Sequence, residues 1–348
     1  MNITLRRGSP PAVEARPPRA AAPQYLFIEI TTACNLRCKQ CHMWMSREPA
    51  GTLTTEEKLA LVDELADWAQ TGVVVMTGGE TFMKADEVLA LSRRARQRGL
   101  STAVNTNGTY LRGLGFDALL DDGPRYLVIS LDAPTAEIHD WIRGQPGTFD
   151  QVVGVIRDLV AHRRARARPT DVKILVNAIL CKATLPLARQ HVDFVRSLGA
   201  DGVMFQALGR TFMNQGHGDP FFDRQRPDDP ALVASVLDDL IALRERDGFL
   251  NTEARDLGWI RSYFDDPDFT AEPVCGSADR NVMVNMYGEV QLCFGMKGLT
   301  GGRALGDVRT SSLRALWTGE QAARARGIMD HCRKNCGMLH CHRRQGAA

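Results

Sequence analysis

The chain has 348 residues, 44% of them hydrophobic and 24% charged, with a formal charge of +2; that is room for one large α/β domain and a smaller one. So small a charge supplies no global attraction to nucleic acid or an anionic membrane, and the densest basic run, HRRARAR at 162–168, reads as a helix end facing water. The chain has no run of 18 apolar residues, and its opening, MNITLRRGSPPAVEARPPRAAAPQ, lacks the apolar centre of a signal peptide. The expectation is a cytoplasmic protein without nucleic-acid or membrane partners, whose residues 1–24 form a disordered tail.

In chain order, apolar runs at YLFIEI (25–30), VVVMT (73–77), STAVNT (101–106), YLVISL (126–131), VKILVNAIL (172–180) and GVMFQAL (202–208) are each followed by a helix-like segment. In the first such segment Thr54 and Glu57 read as a capping box, Leu61, Leu65 and Trp68 share one face, and Gly72 ends the helix. Six units of β then α predict a parallel sheet with right-handed crossovers, whose chemistry collects at the carboxyl ends of the strands. A helical connection over 211–270 follows, carrying PALVASVLDDLIALRERDG and the aromatic residues Phe221, Phe222, Trp259 and Tyr263, which either cover the active site or pack a core.

Nine cysteines in a reducing compartment point to metal or redox chemistry more than to disulfides. Cys34, Cys38 and Cys41 follow the first strand in EITTACNLRCKQCHMW, Cys275, Cys293, Cys332, Cys336 and Cys341 form a second group, and Cys181 stands alone. A structural zinc site closes with four ligands, and zinc stays open for both groups because His42, His340 and His342 lie beside them. Three thiolates, by contrast, leave one iron of a [4Fe-4S] cluster open to a small chelating molecule.

The spacing C-x-x-x-C-x-x-C after a first strand resembles the signature of the radical S-adenosylmethionine (SAM) superfamily. MTGGET (76–81), NTNGTYL (105–111) and ISLDAPTAEIHDWIRG (129–144) resemble that family's motifs after strands two, three and four. The resemblance implies a partial (β/α)6 barrel over 25–210, a cluster on Cys34, Cys38 and Cys41 chelated by SAM, and a SAM pocket drawing on Gly78, Gly79, Glu80, Asn107, Ser130, Asp132 and Arg143. Glycines 78 and 79 let backbone approach a ligand, Glu80 suits an ammonium, and Arg143 suits a carboxylate through its planar fork. Ser130 and Asp132, two apart on one strand, face the barrel lumen or tie down the strand end; Asn107 lines the pocket or simply makes a turn before Gly108. Two positions depart from the pattern: Gln40 stands where an aromatic residue usually precedes the third cysteine, and Thr81 where proline usually follows the glutamate.

The segment 271–348 resembles the auxiliary-cluster domains called twitch and SPASM, a small β-hairpin and helix unit built here on VMVNMYGEVQL and HCRKNCGMLHCHRR. Five cysteines suffice for one auxiliary [4Fe-4S] cluster, held by Cys275, Cys293 and two of Cys332, Cys336 and Cys341. The activity implied is reductive cleavage of SAM and abstraction of a hydrogen atom from a C–H bond, with an electron donor such as flavodoxin or ferredoxin as partner. Peptide-modifying relatives carry a leader-binding domain ahead of the barrel, and only about 24 residues precede it here. The expected substrate is therefore a small polar metabolite, a sugar or aminocyclitol dehydrogenated or epimerised at a carbinol carbon in natural-product biosynthesis. A peptide maturase is the alternative, and a non-catalytic metal-binding protein the remote one. Cys181, at the end of strand five, is either the hydrogen-atom donor of an epimerase or a small buried hydrophobe. With no repeat or heptad pattern, the chain is expected to be a monomer.

Overall fold

Burial alternates along the first strand, and the alternation sets the architecture. In β1 (Tyr25–Thr31), Leu26, Ile28 and Ile30 are buried while Tyr25, Phe27 and Glu29 are only half-buried. Because successive side chains point to opposite faces, the apolar set packs against helices and the other set faces the concave side of the sheet. The structure is a computed structural model and describes residues 15–46, 50–69, 71–210, 220–268 and 276–335.

The chain continues through α1 (Thr55–Trp68), β2 (Val73–Gly78), α2 (Ala85–Gln97), β3 (Ser101–Thr106), α3 (Phe116–Asp121) and β4 (Tyr126–Ser130). It goes on through α4 (Ala136–Arg143), α5 (Thr148–Ala165), β5 (Lys173–Leu180), α6 (Ala188–Ser197) and β6 (Gly202–Ala207). These six strands pair in sequence order and in parallel, so every strand end with motif residues lies on the same rim. One hydrophobic core joins the outer face of the sheet, from Leu26 to Phe205, to helix residues such as Leu65, Leu91 and Ile156. Next come α7 (Pro220–Gln225), α8 (Pro230–Asp247) and α9 (Ala254–Asp265). Phe222, Trp259 and Tyr263 are buried in that layer, and the Phe222 and Tyr263 rings meet edge to face at 6.4 Å. They pack a core and do not lie open over the barrel.

The C-terminal part comprises α10 (Ser277–Arg280), β7 (Asn281–Val284), β8 (Val290–Gln291), α11 (Met296–Leu299), α12 (Leu313–Thr318) and α13 (Glu320–Asp330). The hairpin expected from VMVNMYGEVQL is present, its strands antiparallel and its turn using Gly288 at φ 94°. Sequence gave no sign that β7 would also pair in parallel with β1, Tyr25 opposite Asn281 and Ile28 opposite Val284. That pairing carries the sheet to eight strands and covers the edge of β1, whose unpaired backbone groups would otherwise be open to another chain.

Residues 15–24 differ from the disordered tail expected of them. Arg16 lies between Asp279, at 2.9 Å, and Asp330, the Gln24 N–H donates to Arg280 O, and the Trp68 indole donates to Ala21 O. Arg16, within the segment expected to be disordered, is thus paired with carboxylates more than 200 residues away. The α1 capping box is also formed: Thr54 accepts from Glu57 N, and the Glu57 carboxylate accepts from Thr54 N at 2.7 Å and pairs with Arg309. Thr54→Ala should lower stability by about 1 kcal/mol, read as a shifted urea midpoint with unchanged SAM affinity.

Candidate metal centre and active site

Beyond β1 the backbone turns into the loop bearing Cys34, Cys38 and Cys41, anchored by the buried Leu36 with Arg37 and Lys39 outside. The end of β2 is laced to this loop: Gly79 N donates to Thr31 O at 2.7 Å and Glu80 N to Ala33 O at 2.8 Å. A Cβ at Gly78 would sit 2.2 Å from Thr31 O, and one at Gly79 2.1 Å from Ala33 O. Gly78 also has φ 134°, which side chains rarely tolerate. The two glycines therefore permit a close approach between two backbone segments, where the motif alone suggested a bound ligand as the partner.

Glu80 is fully buried and already accepts three hydrogen bonds, from Phe82 N, Thr106 Oγ1 (2.6 Å) and Asn107 N (2.7 Å). Burial pushes its carboxyl up, and those donors oppose the shift. With about four acceptor sites on a carboxylate, roughly one remains for a ligand ammonium. Thr81, the departure from proline, donates to Asn105 O and so closes the same strand-end turn by another bond. Asn107 is buried, its Nδ2 2.9 Å from Asn35 Oδ1 and 3.9 Å from Cys34 Sγ, while Thr109 bridges both asparagines.

At the end of β4, Ser130 is half-buried opposite Asn177 of β5. Asp132 lies past the strand end with its carboxylate engaged: Arg143 Nη2 donates to Oδ1 at 3.0 Å, Arg143 Nε lies 2.7 Å from Oδ2, and Ile179 N also donates to Oδ1. Asp132 thus ties the strand end, and Arg143 is buried with two of its three nitrogens committed. Freeing it to grip a SAM carboxylate in a fork would break a buried ion pair, a change on the order of 3–5 kcal/mol. The third nitrogen, Nη1, lies 3.9 Å from Cys38 Sγ. One helical turn before Arg143, His139 Nδ1 accepts from Asp132 N; behind it His191 is buried with neither ring nitrogen in an aligned hydrogen bond. His139 and His191 were not singled out from sequence, although His139 and Arg143 sit four apart in HDWIRG, on one helix face.

The lone Cys181 is 1% exposed within the core, its thiol 3.5 Å from Thr184 Oγ1. It is a small buried hydrophobe here and presents no sulfur to open space. Of the second cysteine group, Cys293 and Cys332 are half-buried; Cys275, Cys336 and Cys341 lie outside the described residues. Phe294, next to Cys293, meets Phe27 of β1 edge to face at 5.6 Å.

A cavity of about 270 Å³ opens beside Cys38 and Cys41, lined also by Arg37, Lys39, Arg224, Trp44 and Phe221. The Arg37 guanidinium lies 5.0 Å from the Trp44 ring and Lys39 Nζ 5.7 Å from that of Trp141, itself 41% exposed. Phe221 was among the aromatic residues expected either to cover the active site or to pack a core, and it lines this cavity; Arg37, Lys39, Arg224, Trp44 and Trp141 escaped sequence reasoning, since isolated basic and aromatic residues carry no spacing signal.

The donor set suits an iron–sulfur cluster. Burial pushes the Cys34 and Cys41 thiols up; Leu36 N and Met43 N hydrogen-bond the sulfurs, and the Cys38 thiol adds repulsion to each. Three crowded, partly desolvated thiols are poor bare thiolates and need a cationic partner. Among the described residues no three His, Cys, Asp or Glu side chains converge on a point that one ion would fill.

A parallel βα barrel that seats three thiols over the end of its first strand, against a glycine–glutamate turn, defines a cluster-bearing barrel enzyme. Comparison with known proteins agrees: residues 28–175 match the radical SAM superfamily and residues 275–342 the SPASM iron-sulfur cluster-binding domain. The chain thus carries a radical SAM domain followed by a SPASM-type domain, and the cofactors these domains imply are SAM, the [4Fe-4S] cluster that binds it, and an auxiliary cluster. It is 32% identical to the AdoMet-dependent heme synthase of Oleidesulfovibrio alaskensis, over 58% of this chain and 46% of that protein. It is 34% identical to the subtilosin biosynthesis protein AlbA of Bacillus subtilis, over 40% of this chain and 31% of that one. The chain spans about half the length, or less, of these curated relatives. Streptococcus suis SuiB bound to its precursor peptide SuiA shares the fold, with TM-score 0.66 and 16% identity over 92% of this chain and 70% of that one. Among the described residues no helix is long and apolar enough to cross a membrane.

Two expectations follow. Gly79→Ala should unseat the cysteine loop and cost several kcal/mol or the cluster itself; iron bound per chain after anaerobic reconstitution measures it. Burial holds His139 and His191 down at about 4, below their ordinary 6.5. The unfolded chain then binds more protons than the folded one between those values, so stability is complete above about pH 6.5 and is lost as pH falls toward 4. Denaturant midpoints across that window should slope more gently in His191→Phe.

Proposed function

We propose that this radical SAM enzyme is a maturase that modifies an acidic segment of a peptide. The observation carrying this reading is the cavity beside Cys38 and Cys41, whose rim bears Arg37, Lys39 and Arg224 among aromatic side chains. Cations over aromatic faces suit carboxylates on an extended chain. Similarity to a bacteriocin biosynthesis protein supports the same reading. The sugar or aminocyclitol expected from the short N-terminal segment has less support, as does assignment to dehydrogenation or epimerisation. A second reading, a tetrapyrrole substrate, is favoured by similarity to a heme synthase.

When bound, the cluster and SAM supply reductive cleavage of the sulfonium, which yields methionine and a 5′-deoxyadenosyl radical. The chain's part is placement. Glu80 retains an acceptor site for the SAM ammonium, Asn105, Ser130, Asn177 and Gln206 line the concave face at the strand ends, and Phe27 and Phe294 limit water at the β1 side. A single auxiliary cluster would use Cys275, Cys293 and two of Cys332, Cys336 and Cys341, and an external carrier such as flavodoxin or ferredoxin would deliver electrons.

The test is anaerobic turnover with dithionite, following 5′-deoxyadenosine and substrate mass for an acidic peptide panel, a coproporphyrin and an aminocyclitol. An acidic peptide should stimulate SAM cleavage and change mass. Joint Arg37→Glu, Lys39→Glu and Arg224→Glu substitution should raise its KM by tenfold or more, about 1.4 kcal/mol, while slow uncoupled cleavage persists. Stimulation by the coproporphyrin or the aminocyclitol alone would replace the peptide reading.

A further inference from the structure

Arg143 is committed to Asp132 through Nε and Nη2, and its remaining nitrogen, Nη1, lies 3.9 Å from Cys38 Sγ. Its side chain is 10% exposed and that of Asp132 fully buried, so the pair is a fixed dipole in a low-dielectric site with its positive end toward the sulfur. The fixing is thorough. Asp132 is held by Ile179 N on its carboxylate and by His139 on its backbone N–H. The last turn of α4 is pinned to the cysteine loop by Lys39 N donating to Ile142 O at 2.9 Å. A Cβ at Gly144, the next residue, would fall 2.3 Å from Arg37 O. The guanidinium therefore cannot swing away from Cys38 without breaking its buried ion pair with Asp132.

We propose that Arg143 sets the reduction potential of the cluster on Cys34, Cys38 and Cys41, acting as an N–H donor and fixed positive charge beside the Cys38 sulfur, with Asp132 and His139 as positioning residues. One-electron reduction adds one negative charge to the cluster and its thiolates. A cation and an N–H···S bond at a ligating sulfur stabilise that added charge and make reduction easier. Asp132 offsets part of the cation's field while aiming it. Asn107 Nδ2, at 3.9 Å from Cys34 Sγ, supplies a weaker, neutral counterpart at another sulfur of the triplet. The proposal rests on the superfamily assignment and is independent of the peptide reading.

The test uses the full chain, reconstituted anaerobically, with iron counted for every variant. The EPR signal that changes on SAM addition identifies the barrel cluster against the auxiliary one, and its midpoint potential is then titrated without SAM. Arg143→Gln should make reduction harder by about tenfold in its equilibrium constant, which is ~59 mV for one electron; Arg143→Lys should fall between that variant and the native chain. Asp132→Asn, which keeps the cation and removes the charge offsetting it, should move the potential in the opposite direction. Unchanged potentials in Arg143→Lys and Asp132→Asn overturn the proposal, and a tenfold loss of SAM affinity alongside them makes Arg143 a carboxylate ligand instead. Should Arg143→Gln fail to hold its cluster, the opposite displacements expected of Arg143→Lys and Asp132→Asn decide the matter.

Discussion

The whole site depends on how closely two backbones can approach. Where β2 ends, Gly79 and Glu80 donate to the carbonyls of Thr31 and Ala33, and that short ladder fixes the start of the cysteine loop relative to the sheet. A methyl group on either glycine would meet those carbonyls at little over 2 Å. With the loop fixed, Glu80 is driven into the interior, where Phe82, Thr106 and Asn107 satisfy it, and Asn107 is thereby brought against Cys34. A contact with no charge and no side chain thus positions everything charged around it.

Buried charge is handled by the same rule elsewhere in the fold. Lys58 on α1 is almost wholly buried, yet its ammonium reaches Glu87 on α2 at 2.6 Å and Ile30 O on β1, joining two helices to the strand that leads into the loop. Asp132 and Arg143 do the same for β4, α4 and the loop. Such pairs add little net stability compared with apolar contacts, but they penalise any arrangement that leaves one partner alone. Each one bridges elements that border the cysteine loop or the strand leading into it.

Much of this was legible in the sequence, for identifiable reasons. Six parallel strands emerge where runs of apolar residues alternate with capped, amphipathic segments, and YLFIEI and VKILVNAIL lie within a residue or two of β1 and β5. The grouping of Cys34, Cys38 and Cys41 at one rim was legible because three thiols so close in sequence must be close in space. What escaped was non-local. The commitment of Arg143 to Asp132 depends on where α4 turns back, and Glu80 reads as a ligand group until its three internal donors are counted. Arg16 looked like part of a solvated tail because its partners, Asp279 and Asp330, lie at the other end of the chain. The cavity rim gathers Arg37 and Arg224 from segments nearly two hundred residues apart, and no periodicity announces such a meeting.

The parallel pairing of β7 with β1 has a consequence for modularity. A C-terminal unit joined through a linker would be an appendage that could be removed or exchanged. Here its first strand is hydrogen-bonded into the barrel sheet from Tyr25 to Ile28, and Glu29 on β1 accepts from Met286 N in the hairpin turn. Cutting the chain after β6 would bare the β1 edge of a twisted sheet, the surface through which such fragments associate. The two parts therefore share one sheet, and a substitution along the β1–β7 pairing acts on the barrel and on its C-terminal extension at once.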